Sequence, residues 1–199
     1  MNIPQALILF RFLSAPCILY MAVGWGETAS PYILLAMYLG LISDILDGII
    51  ARKFQQSTTS LRRLDSQTDM VFWLSIGIAS WHLHPEILAP HSWAIALILS
   101  MELSVYVVSF LKFGKETCTH AFLSKLWGLS LLAAFTSLIG FGQAGIPFYV
   151  ALWLGILSHA DRICITLLLP QWTHDIPSAY HAYLLRKGHR FSKNKYLNS

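Results

Sequence analysis

Six nearly uninterrupted apolar blocks make up most of this 199-residue chain, and they restrict its fold more than any other feature. They run from Ile3 to Val23, Pro31 to Ile50, Asp69 to His84, Ser92 to Phe113, Phe122 to Gly140 and Pro147 to Leu169. Each approaches the ~20 residues that cross a hydrocarbon core ~30 Å thick, the third being the shortest. Backbone amides and carbonyls find no water inside a bilayer, so only helices or closed barrels can cross it. The blocks lack the alternation of a barrel strand, which leaves helices. Composition agrees, since 55% of residues are hydrophobic and 12% charged, against about a quarter charged in water-soluble chains. The expected fold is all-α, a polytopic membrane bundle of six transmembrane helices. Arg11 interrupts the first block and no basic segment precedes it, so this block reads as a resident span and not a cleaved leader.

The basic residues fix an orientation. Arg52, Lys53, Arg62 and Arg63 lie between the second and third blocks. Lys112, Lys115 and Lys125 surround the turn between the fourth and fifth, and Arg186, Lys187, Arg190, Lys193 and Lys195 crowd the tail. The alternate loops, around Glu27, Pro85 to Pro90 and Gln143, hold no lysine or arginine. Basic loops stay on the cytoplasmic side, so both termini are expected inside. The formal net charge of +4 then reports topology and attraction to anionic membrane lipids, and no nucleic-acid partner is inferred.

Residues 1–170 read as one transmembrane domain and residues 171–199 as a basic cytoplasmic tail. In the tail, Asp175-Ile176-Pro177 reads as a helix start and Gly188 as its stop. Ile176, Tyr180, Tyr183 and Leu184 alternate with polar positions, as in a short amphipathic C-terminal helix on the membrane surface. A solvated tail that serves only topology explains the same residues equally well. Cys17, Cys118 and Cys164 have no paired spacing and read as buried packing residues.

The chemistry gathers in one place. Of ten acidic residues, four are Asp44, Asp47, Asp65 and Asp69. Asp44 and Asp47 are i,i+3 at the end of the second span, and Asp65 and Asp69 are i,i+4 on the helix that opens the third, so each pair shares a helix face. A turn through Gln55 to Ser60 brings the two faces together. Four neighbouring carboxylates at a membrane helix end repel one another, and a hard divalent cation with oxygen ligands relieves that repulsion. Pairing with Arg52, Arg62 and Arg63 would account for two of them. A divalent-cation transporter could also use clustered aspartates, but it would want acidic residues across the membrane too, and the outer loops offer only Glu27 and Glu86.

The spacing Asp44, Asp47, Gly48, Ala51, Arg52, Asp65, Asp69 resembles the motif D-x2-D-G-x2-A-R-x8-G-x3-D-x3-D of the CDP-alcohol phosphatidyltransferases, with Leu61 in place of the second glycine. The six-span layout is similar as well. By this resemblance the four aspartates hold two divalent ions, Mg²⁺ or Mn²⁺, on the diphosphate of a CDP-linked lipid. Gly48 and Ala51 leave space for the cytidine, Arg52 and Arg11 meet phosphate, and Asp69 also acts as catalytic general base. The implied reaction moves a phosphatidyl group from CDP-diacylglycerol to an alcohol, a polyol or polyol phosphate such as glycerol 3-phosphate or inositol phosphate, releasing CMP in phospholipid biosynthesis. Glu102, Lys115, Lys125 and Arg162, with Asp161, could line the acceptor pocket, although lysines serving topology and a Glu102–Arg162 or Asp161–Arg162 pair explain them too. The resemblance further implies a homodimer in a bacterial cytoplasmic membrane with the active site inside. A CDP-amino-alcohol to diacylglycerol transferase of the same family, or a non-catalytic member for which Leu61 is the best argument, are the alternatives.

Overall fold

A reciprocal cap starts the first helix. In the computed structural model, which describes residues 2–54, 58–115, 121–173 and 176–189 (the Arg52 and Thr59 side chains excepted), the Asn2 side chain accepts from the Gln5 amide and the Gln5 side chain accepts from the Asn2 amide, both at 3.1 Å. Backbone donors with no intrahelical acceptor are thereby satisfied, and Pro4 stands in the first turn, where its missing N–H costs little. Helix α1 (Ile3–Trp25) stops at Gly26, whose φ of 58° suits only a residue without a side chain. A 3-10 turn, Gly26–Ala29, leads into α2 (Ser30–Lys53). Helix α3 (Thr59–Leu83) opens on Thr58, whose hydroxyl accepts from the Leu61 amide at 3.2 Å. There follow α4 (Pro85–Leu88), a second 3-10 turn, α5 (Ser92–Phe113), α6 (Phe122–Phe141), α7 (Gly145–Leu168) and α8 (Ala179–Arg186). The all-α expectation holds, with six long helices among the described residues.

Among the described residues, four helical stretches are long and apolar enough to cross a bilayer: Ile3–Ala51, Pro85–Phe113, Phe122–Phe141 and Gly145–Leu168. The first comprises α1 and α2 around the turn at Gly26. Helix α3 falls outside this set because it starts at Thr59, well before the apolar block at Asp69, and its first turns carry Arg62, Arg63, Asp65 and Asp69. Large apolar side chains cover the outer faces of the long helices; Leu111 is 84% exposed and Ile146 80%. Such a surface belongs in lipid. Cys17 and Cys164 are free, as expected, but exposed and not buried, since the outer face of a membrane helix is itself apolar. Cys118 lies outside the described residues.

The chain divides into two compact units, Met1–Ala89 with Phe135–Ala144, and Pro90–Ala134 with Gly145–Ser199. In the first, α1 packs on both α2 and α3. Its buried stripe is Pro4, Ile8, Arg11, Ala15, Ile18 and Ala22, a helical spacing of three and four in which Arg11 is the one charged member. In the second unit α5 packs on α7 and α7 on α8. Lys112, read from sequence as an orientation signal, donates to the carbonyls of Thr166, Leu167 and Leu169 at 3.1, 2.6 and 2.8 Å, and so caps the C-terminal end of α7.

The C-terminal helix starts later than its sequence suggests, at Ala179 with Ser178 as N-cap, and residues 174–175 lie outside the described set. Asp161 on α7 accepts from the Ala179 amide at 2.9 Å, so a side chain from a neighbouring helix bonds the first donor of α8. Ile176 and Ala182 are buried with Ala121, Ile165 and Leu169. One face of α8 is therefore taken by protein, while Tyr180 and Tyr183 stay exposed on the other.

Candidate metal and phosphate site

Three buried stripes turn polar together. On α1 the polar residue is Arg11; on α2 the stripe Ile33, Met37, Gly40 continues into Asp44 and Asp47; on α3 Asp65 and Asp69 precede Phe72, Ile76 and Ala79. The Arg11 guanidinium joins them. Nη1 donates to Asp44 at 2.5 Å and lies 3.1 Å from an oxygen of Asp69. Nη2 donates to Asp47 at 3.2 Å and to Asp65. The four aspartates singled out by their spacing thus meet on one cation, and that cation comes from a third helix. Arg52, whose guanidinium was an expected phosphate contact, has its side chain outside the described set.

Gly40 and Phe72 set the approach of α2 to α3. A Cβ on Gly40 would lie 2.2 Å from Phe72 Cζ, so the buried ring occupies the space that any side chain would need. Gly40 is one turn before Asp44, and Phe72 one turn after Asp69. A methyl forced into a filled core costs about 1–3 kcal/mol. Gly40→Ala is expected to lose stability on that scale and to weaken metal binding by spreading the two aspartate pairs, as thermal unfolding and Mn²⁺ titration would report. Unchanged metal affinity would show that this contact does not position the carboxylates.

Carboxylate oxygens of Asp44, Asp47 and Asp65 lie within 4.8 Å of one another. Asp69 stands outside that tightest group and is tied to it through Arg11. Four negative charges face one positive charge among these five residues, and the donors are all oxygen. Such a set suits a hard divalent cation, so the protein carries an acidic group that could hold one.

The neighbouring motif positions are compatible with a close-approaching ligand. Gly48 is half-buried and Ala51 buried on the same helix as Asp44 and Asp47. Leu61 falls in the first turn of α3 with helical backbone, its amide capped by Thr58, so no glycine is needed for the local conformation.

The acceptor candidates all lie in the second unit. Glu102 on α5 accepts from Arg162 Nη1 on α7 at 2.6 Å. Lys115 is exposed just past α5, its ammonium 5.2 Å from the Trp172 ring centroid, and Lys125 is exposed on the first turns of α6. Asp161 is engaged at α8. Sequence reasoning passed over His159, fully buried one turn before Arg162, with Nε2 2.6 Å from Glu102 and Nδ1 donating to the Gly155 carbonyl at 2.5 Å. Trp127 packs edge-on against it, 4.7 Å between centroids, in space that Gly155 leaves open. An ionisable residue inside an apolar span was the available signal.

Comparisons with known proteins bear on this site. The CDP-alcohol phosphatidyltransferase family model matches residues 1–172. A CDP-diacylglycerol--glycerol-3-phosphate 3-phosphatidyltransferase from Aquifex aeolicus (strain VF5) is 40% identical over 72 residues, which cover 36% of this chain and 39% of that relative. The chain thus matches well under half of the relative's length. No solved structure matches. With the family model covering nearly the whole described chain, and the motif aspartates meeting in space, this protein belongs to the CDP-alcohol phosphatidyltransferase family.

Proposed function

We propose that this membrane protein transfers a phosphatidyl group from CDP-diacylglycerol to the hydroxyl of a small alcohol and releases CMP, as a step of phospholipid biosynthesis. The convergence of Asp44, Asp47, Asp65 and Asp69 from two helices, at the family's spacing, carries the reading. The basic residues beside α2 and α3 support a site at the cytoplasmic surface, where a soluble acceptor would arrive.

The aspartates would hold two divalent ions, Mg²⁺ or Mn²⁺. When bound, such ions supply positive charge to the diphosphate oxygens as charge develops on the departing group. Gly48 and Ala51 keep the surface of α2 low for the cytidine, and Arg52 with Arg11 would neutralise phosphate. Asp69 would take the proton of the acceptor hydroxyl as its oxygen attacks the phosphorus that bears diacylglycerol. The bond from that phosphorus to the bridging oxygen breaks, and CMP leaves with the electron pair.

The acceptor is a polyol or polyol phosphate, with glycerol 3-phosphate first. The name of the Aquifex aeolicus relative supports this choice. Arg162, Lys115 and Lys125 also favour an acceptor that carries phosphate, with Glu102 orienting Arg162. The test is CMP release from CDP-diacylglycerol by purified protein, with Mg²⁺ or Mn²⁺, across a panel of alcohols. Release that depends on one alcohol and stops with chelator is expected. No CMP release with any of them would overturn the reading.

A further inference from the structure

Arg11 is usually the kind of residue assigned to a substrate phosphate, yet here it spans all four aspartates. Its side chain is 1% exposed, and its Nε–H has no acceptor among the described residues. Nη1 engages Asp44 and Asp69, and Nη2 engages Asp47 and Asp65, so the guanidinium takes oxygens from each carboxylate that a divalent ion would need. We propose that Arg11 is a built-in counter-cation that competes with divalent metal for the aspartate cluster and lowers the affinity the four carboxylates would otherwise have.

The physical argument has two parts. An oxygen already accepting a charge-assisted hydrogen bond has less electron density and fewer free directions for a metal, and the guanidinium charge opposes an incoming cation. Full coordination therefore requires Arg11 to give up contacts. The orphaned Nε–H is the second part. A buried donor without an acceptor is costly, so the present arrangement does not satisfy the whole guanidinium. Turning away from the carboxylates would let Arg11 offer that donor to another anion, such as a phosphate oxygen. Arg11 thus positions the carboxylates before metal arrives and weakens the grip on metal once it does.

This inference rests on reading the aspartates as metal ligands, and its test uses metal alone. Mn²⁺ binding would be titrated by electron paramagnetic resonance on the purified full-length protein in lipid nanodiscs, comparing the parent with Arg11→Met and Arg11→Lys. Arg11→Met should tighten Mn²⁺ binding on the order of tenfold, a change of about 1.4 kcal/mol. Arg11→Lys should fall between, because one ammonium keeps the charge but cannot span four carboxylates as a planar fork does. Metal should also raise the unfolding temperature of Arg11→Met more than that of the parent. A merely structural arginine would give the opposite sign, since its loss would loosen the cluster and weaken binding. Equal or weaker affinity in Arg11→Met overturns the proposal. If that variant does not fold, tighter binding by Arg11→Lys supports it and equal or weaker binding overturns it. Failure of every protein, parent included, to bind Mn²⁺ would instead remove the metal reading and this proposal with it.

Discussion

Asp47→Asn is expected to abolish measurable CMP release and metal binding, with activity falling on the order of 10²–10³-fold or more, the scale on which preorganised charge contributes to catalysis. Asp47 is the most buried of the four carboxylates, 5% exposed, so water is least able to replace a ligand lost there. An amide of the same shape removes one negative charge and presents donors where a metal needs acceptors. The same change relieves repulsion among like charges, and Arg11 keeps Asp44, Asp65 and Asp69. Thermal stability without metal should therefore be kept or slightly raised. That combination separates a lost ligand from a lost fold. A fully active Asp47→Asn protein would sink the assignment of Asp47 to the metal.

Asp69→Asn should behave differently. Asp69 is 34% exposed and lies outside the tight group formed by Asp44, Asp47 and Asp65, so it is both reachable by an acceptor and less needed for metal. Loss of a general base typically costs 10²–10⁴-fold, and the transfer rate should drop within that range. Binding of CDP-diacylglycerol should change only a few-fold, since three carboxylates would remain to hold metal on the diphosphate. Equilibrium binding and single-turnover transfer, measured on the same preparation, would show the split. If donor binding falls as far as transfer does, Asp69 is chiefly a ligand and another group takes the proton.

Much of this arrangement is legible before any coordinates. Apolar blocks of spanning length imply membrane helices because a bilayer offers backbone groups no other partner, and α5 runs from Ser92 to Phe113 as its block does. The aspartate pairs are legible because i,i+3 and i,i+4 positions share a helix face whatever surrounds them. Even the departure from the family motif is local, since Leu61 sits in an ordinary first turn of α3.

The contacts between helices were not legible, and the reason is geometric. A side chain's partner across an interface depends on the rotation and register of two helices, which the composition of either helix leaves open. Arg11 could be read as buried and costly, but its place among four aspartates depends on how α1 lies against α2 and α3. Gly40 gives no sign in sequence that the Phe72 ring fills the space of its missing side chain. Lys112 satisfies a topology rule and also caps α7; Asp161 looks like an acceptor residue and bonds the first amide of α8. The sequence by itself determined the membrane class, the six long helices and the face on which each aspartate pair stands. Tertiary structure alone decided which cation the aspartates share and which partners Glu102 keeps, because interactions at long sequence separation are selected by packing and not by local pattern.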